Sequence, residues 1–244
     1  MNKLSYEELL SAQVHFGHLT SKWNPKMAPY IFMEKDGVHL IDVNKTRSLL
    51  HNAGEYVKEL AKSGRKILFV ATKKQARDIV AAHAQQLHMP FVTERWLGGM
   101  LTNFATVRKS IKKMHNLDKM RKDEDIANKI SKRERLQLTR DHDKKFRFLG
   151  GIADLYRLPA AIFVCDVKNE HLAIKEAMKL DIPVIAMVDT DSNPDNIKYI
   201  IPSNDDSTKS IALIVGYLSK QIEAGLNERK IEKEKVSNKE EVAL

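Results

Sequence analysis

Apolar and polar positions change rhythm in blocks along this chain. Short, nearly continuous apolar stretches fall at 66–71, 91–94, 161–165, 183–188 and 199–201. Runs that are apolar on both faces read as strands of a parallel sheet covered on both sides. Between them lie segments with apolar residues at helical spacing, at 74–87, 169–180 and 207–226. A further helix opens at Asp42 or Asn44, carries Leu49, Leu50, Ala53, Val57 and Leu60 on one stripe, and ends at Gly64. The alternation predicts an α/β fold with a parallel sheet of about five strands and helices on both faces.

Two regions depart from this rhythm. At the start, Ser5 with Glu8 forms a capping box for a helix over 6–14. Pro25 and Pro29 exclude α-helix from the stretch that follows, which reads as an irregular loop. Strands at 30–33 and 38–41 then flank Asp36-Gly37, a hairpin signal. The second departure is an insertion over 102–149. Phe104, Val107, Ile111, Met114 and Leu117 recur at spacings of three and four, and a second capping box, Ser131 with Glu134, opens another helix. A turn over 123–128 would make the two an α-helical, coiled-coil-like hairpin. The second helix has a thin seam, Leu136 and Phe146 and little else. The expected organisation is a discontinuous sheet domain, 1–101 with 150–226, an inserted hairpin, 102–149, and a charged tail, 227–244, disordered or helical only in part.

Composition narrows the function. Hydrophobic residues make up 43% of 244, enough for a sizeable core. No apolar run approaches the roughly 18 residues that span a bilayer. The first residues include acids and no apolar signal segment, so the expectation is a cytoplasmic protein without a membrane partner. The single cysteine, Cys165, lies in an apolar run, which leaves no intrachain disulfide and no cysteine zinc site. The net charge is +9, and residues 108–147 alone hold 15 basic and 7 acidic side chains. So uneven a distribution points to a polyanionic partner.

The candidate chemistry is of binding. In Arg95-Trp96-Leu97-Gly98-Gly99-Met100-Leu101-Thr102-Asn103-Phe104, an Arg that can fork onto phosphate and a Trp that can stack stand beside two glycines. The glycines allow a sharp turn or a close backbone approach, and Thr102 or Asn103 can cap the helix that follows. Thr72-Lys73-Lys74 with Arg77 gives a basic strand end and helix start suited to phosphates. Arg108, Lys109, Lys112 and Lys113 extend the basic face onto the first inserted helix. Neither G-x-G-x-x-G nor a P-loop is present, and no cofactor is expected. His15, His18, Trp23, Asn24 and Lys26 share the N-terminal loop and are expected to meet RNA, the imidazoles by hydrogen bonds to backbone or RNA; two histidines without a third ligand make a poor zinc site. Asp189-x-Asp191-x-Asn193-x-Asp195 imitates a calcium loop, but Pro194 and Ile200 stand where glycine and glutamate are needed, so no metal is expected. An Asp pair at a strand end is also compatible with a phosphatase-type nucleophile loop. That is the alternative reading, an enzyme acting through Asp189 and Asp191.

Several of these stretches together resemble the bacterial small-subunit ribosomal protein S-two family. The resemblance rests on Val14-His15-Phe16-Gly17-His18, Trp23-Asn24-Pro25-Lys26-Met27, the glycine loop from Arg95 to Asn103, and Leu149-Gly150-Gly151-Ile152. It continues through Glu170-His171-Leu172-Ala173-Ile174-Lys175-Glu176-Ala177, Val188-Asp189-Thr190 and Ile201-Pro202-Ser203-Asn204-Asp205-Asp206, covering about 5–226 in order. Two places are less typical of the family: Tyr156-Arg157, which stands where a smaller or glycine-containing turn is expected before Leu158-Pro159, and the Lys/Glu tail. The resemblance implies a flavodoxin-like sheet with a protruding helical hairpin and no enzymatic activity. It implies binding to 16S-type ribosomal RNA at the head–body junction, contacts with other small-subunit proteins including S-one, and no self-oligomer.

Overall fold

The computed structural model describes residues 4–122 and 131–242. Its centre is a five-stranded parallel sheet of β4 (Ile67–Val70), β5 (Phe91–Val92), β6 (Ala161–Cys165), β7 (Val184–Val188) and β8 (Tyr199–Pro202). The spatial order is β5-β4-β6-β7-β8, with every neighbouring pair parallel. Counted among themselves, these strands run 2-1-3-4-5, the flavodoxin-like order. Every residue of β4, β6 and β7 is buried, as strands covered on both faces require.

The period of two divides those residues between two cores. Ile67, Phe69, Phe163, Cys165, Ile185 and Met187 join the first with α2 (Val43–Lys62), α3 (Lys74–Gln86) and α7 (Thr208–Val242). Leu68, Val70, Ile162, Val164, Ala186 and Val188 join the second with α6 (His171–Lys179), the glycine loop and the roots of α4 (Phe104–Lys122) and α5 (Lys132–Leu149). Asp42 caps α2 through the amides of Asn44 and Lys45, and Gly64 follows that helix with φ +75°.

Ahead of the sheet, the Ser5–Glu8 capping box starts α1 (Tyr6–Ser11), which stops short of Val14. The loop expected next is more ordered than Pro25 and Pro29 suggested. Phe16–Leu19 forms β1, and Pro25–Tyr30 a 3-10 stretch with Pro25 at its start, where a missing N–H costs nothing. β1 pairs antiparallel with β3 (Val38–Ile41), which pairs with β2 (Ile31–Lys35) across the expected Asp36-Gly37 turn. Both turn residues have positive φ.

In α4, Ile111, Met114 and Leu117 are buried as their spacing predicts. In α5 the expected seam is wrong: Leu136 and Phe146 face solvent. His142 and Leu149 are buried and Leu138 and Lys145 half-buried, one helical face turned towards α4. Arg108 donates to the carbonyls of Ala153 and Leu155 near the root, while Asp118 meets His142 at 3.7 Å further out. The turn expected over 123–128 lies outside the described residues. The helix expected to end near 226 runs on to Val242. Its extension is held against α2 by Lys58 and Lys62, which pair with Glu228 and Glu232. Among the described residues no helix is long and apolar enough to cross a membrane.

Candidate nucleic-acid interface

The glycine loop is built around one carboxylate that it does not contain. Glu176, on the buried face of α6, accepts from the Trp96 indole Nε1 at 3.0 Å and from the Gly99, Leu101 and Thr102 amides at 2.8, 3.0 and 3.1 Å. The Thr102 hydroxyl adds a fifth bond at 3.1 Å. Burial pushes the Glu176 carboxyl up, and the donors from Trp96, Thr102, Gly99 and Leu101 more than offset that, holding it below the usual glutamate value. Trp96 is only 6% exposed and belongs to the second core. Its expected role as a base-stacking surface is therefore corrected: the ring packs inside and its N–H anchors the loop. Thr102 likewise turns its hydroxyl to Glu176 instead of capping α4, whose first amide bonds go to the Asn103 carbonyl. Gly99 has φ +87°, a conformation that needs glycine. Gly98 is different: it is exposed, with open space where a Cβ would stand. Sequence reasoning passed over Glu176. Its position three residues after Ala173 and next to Ala177, on the apolar face of its helix, was the available signal.

A second set of expected contacts lies at the C-terminal edge of the sheet, where the strand order reverses between β4 and β6. Folds of this order bind ligands in that crevice. Here it is filled by the protein's own charges. Lys73 Nζ lies 2.6 Å from Asp205, 2.7 Å from Asp206 and 3.7 Å from Asp166. Burial lowers the Lys73 ammonium, but these carboxylates, Asp205 foremost, outweigh it and raise the group above its ordinary value. The Thr72 amide is bound by Glu170 at 2.8 Å. His18 sits between Asp189 at 3.1 Å and Asp206 at 3.3 Å, and the bond to Asp189 lifts the imidazole to about 9. Asp205 is pushed up to about 7, first by burial and then by Asp189 and Asp166. Lys73 and His18, both expected to meet RNA, are instead closed into this network.

The same geometry disposes of the phosphatase-type alternative. Asp189 is buried, its oxygens bound by the Thr190 amide and hydroxyl, His18 and the Asp205 amide. Neither oxygen of Asp189 is left open as a nucleophile. Asp191 pairs with Lys168, Asp195 pairs with Lys26, and Asn193 caps the Asp195 amide, so these side chains build the turn itself.

The N-terminal loop docks on the end of β7. The His18 amide donates to the Thr190 hydroxyl and the Asn24 amide to the Thr190 carbonyl, both at 2.8 Å. A Cβ on Gly17 would lie 2.6 Å from Thr190 Cγ2, so only glycine permits this approach. His15 is half-buried against Phe16, with its pKa lowered by burial. Asn24 caps the Lys26 amide, and Trp23 keeps an exposed edge while its ring lies 5.0 Å from His39.

The remaining expected cations divide cleanly. Arg77 is drawn to Glu94 and the Thr72 carbonyl. Arg108 is pinned by the two carbonyls named above. Lys74, Arg95, Lys109, Lys112 and Lys113 are exposed and form no ion pair among the described residues. Four of these five lie in the glycine loop or on the α4 turns just beyond it. The arrangement therefore presents unpaired cations beside an exposed glycine, with the loop fixed from behind by Glu176.

Comparison with known proteins identifies the family. The family model described as ribosomal protein S2 matches residues 9–225. The "Small ribosomal subunit protein uS2" of Cytophaga hutchinsonii is 59% identical over 98% of this chain and 94% of its own length. Proteins of the same name from Parabacteroides distasonis and Flavobacterium johnsoniae are each 57% identical over 96% of this chain, covering 84% and 91% of their own lengths. The chain belongs to the ribosomal protein S2 family, whose members are structural proteins of the ribosome and not enzymes.

Proposed function

We propose that this protein is a structural constituent of the small ribosomal subunit that binds 16S-type ribosomal RNA at the junction of head and body. The observation that carries the reading is the set of unpaired cations, Arg95, Lys109, Lys112 and Lys113, beside the Glu176-held loop. Phosphates would meet those cations, and RNA backbone would approach Gly98, where no side chain intervenes. Recognition by shape and charge fits a surface with many cations and few side chains placed to read base edges. In this reading 102–149 is an arm that reaches along RNA from a sheet domain made of 1–101 and 150–226, in the cytoplasm.

Protein neighbours, S-one among them, would take the small antiparallel sheet. Phe16, Leu19, Phe32 and Met33 are exposed on its strands, apolar side chains that a protein neighbour could cover. Sucrose-gradient sedimentation of a cell lysate tests the proposal. Co-migration with the small subunit at low salt and release at high salt are expected; a protein that stays in the light fractions at every salt concentration overturns it.

A further inference from the structure

Tyr156 is the most exposed aromatic residue among those described, at 73%, and it stands on the turn just beyond the root of α5. The Arg108 guanidinium carbon lies 4.6 Å from its ring centroid. Arg108 cannot swing away, because its Nη1 donates to the carbonyls of Ala153 and Leu155 at 3.1 Å each. One side of the ring is thus backed by a fixed cation, and the rest of it borders an open groove of about 590 Å³. Lys109, Lys112 and Lys119 line that groove along one face of α4, and His115 lies between them. The acid in the lining, Asp118, faces Arg121 and His142.

From this juxtaposition we infer that Tyr156 is a stacking platform for an unpaired base of an RNA strand whose flanking phosphates lie along Lys109, Lys112 and Lys119. An aromatic face takes any base sequence-tolerantly, and a cation behind the ring adds to the attraction. From Lys109 to Lys119 the helix rises about 15 Å, room for phosphates on either side of one splayed nucleotide. Paired bases, stacked inside a duplex, cannot reach the ring, so the ligand is a bulged or single-stranded nucleotide. A protein partner is disfavoured by the charge, since the groove offers one acid against four cations, Arg108, Lys109, Lys112 and Lys119. The inference rests on the RNA-binding reading above and narrows it to one nucleotide site.

The test uses the full chain and a short single-stranded oligoribonucleotide carrying one central 2-aminopurine, compared with the same strand in a duplex. Wild type and Tyr156→Phe should quench the 2-aminopurine on binding. Tyr156→Leu, a change at an exposed side chain, should bind without quenching and at least about five-fold more weakly, the loss of one base stack. The duplex should show no dependence on residue 156. Persistent quenching, or unchanged affinity, in Tyr156→Leu overturns the inference. So does a photocrosslink from p-benzoylphenylalanine at position 156 that joins protein instead of RNA in assembled subunits. A Tyr156→Leu chain that still sediments with the small subunit but fails to lose stacking contradicts this site alone; a wild-type chain that never sediments there contradicts the ribosomal reading.

Discussion

A single carboxylate decides the shape of the glycine loop. Glu176→Gln keeps the volume but turns an amide N–H₂ towards N–H donors, so at least one of the five bonds becomes a clash of donors. The expected cost is about 2 kcal/mol in denaturant unfolding, the range for hydrogen bonds to a charged group. Amide exchange of Gly99, Leu101 and Thr102 should quicken while that of β4 and β6 is unchanged; equal protection in all of them would remove Glu176 from its role. The two glycines should separate in the same experiments. Gly99→Ala meets φ +87° and an Asn103 Cβ at 3.2 Å, and should lose about 1–2 kcal/mol. Gly98→Ala meets nothing, so stability should hold within about 0.5 kcal/mol while subunit incorporation falls. Titration at the sheet edge gives a further expectation. His18, raised to about 9, stabilises fully below its ordinary 6.5 and loses that contribution as pH rises through 9. Asp205, raised to about 7, binds its proton more tightly when folded, so its contribution also declines as pH climbs from 3.8 to 7. The stability gap between wild type and His18→Gln should be on the order of 2 kcal/mol at pH 6 and should close above pH 9; a gap independent of pH would deny the His18–Asp189 pair. At this scale the sequence announced residue types but not partners. Lys73 and His18 look like RNA ligands in one dimension because their carboxylates, Asp205 and Asp189, lie more than a hundred residues away.

Elements were far more legible than contacts. Apolar runs placed all five parallel strands, and the two Ser–Glu capping boxes placed the starts of α1 and α5 within a residue. The family resemblance implied a flavodoxin-like sheet, but the strand order 2-1-3-4-5 comes from the structure, because periodicity carries no information about which strands adjoin. The seam of α5 was misread because its buried face is centred on His142, a polar residue satisfied by Asp118 and Asp143, which hydrophobic spacing cannot find. The structure also refines where an arm could be cut. Ile111, Met114 and Leu149 belong to the second core, so the roots of α4 and α5 are part of the sheet domain's packing. Replacing residues 119–141 with a Gly-Ser linker leaves those side chains in place. That deletion should shift the unfolding midpoint little, with a change of about 1 kcal/mol or less, and should sharply reduce assembly into the small subunit. Collapse of cooperative unfolding would mean that the outer turns are needed for the fold.

The whole molecule separates its charges by use. Carboxylates at the C-terminal edge of the sheet close the crevice with Lys73 and His18, while Arg95, Lys109, Lys112 and Lys113, on the glycine loop and α4, have no ion-pair partner among the described residues. The sequence showed the excess of positive charge over 108–147 but could not say which cations were already paired. That distinction is the central claim, and the salt dependence of ribosomal RNA binding tests it most directly. Each lost phosphate contact lowers the log–log slope by about 0.7–0.9. Lys112→Ala and Lys113→Ala should each flatten the slope by that amount and leave thermal stability unchanged. Lys73→Ala should lower stability, since it strands Asp205 and Asp166 without their cation, and leave the slope as it was. A slope that falls with Lys73→Ala and stays unchanged with Lys112→Ala and Lys113→Ala would contradict the account.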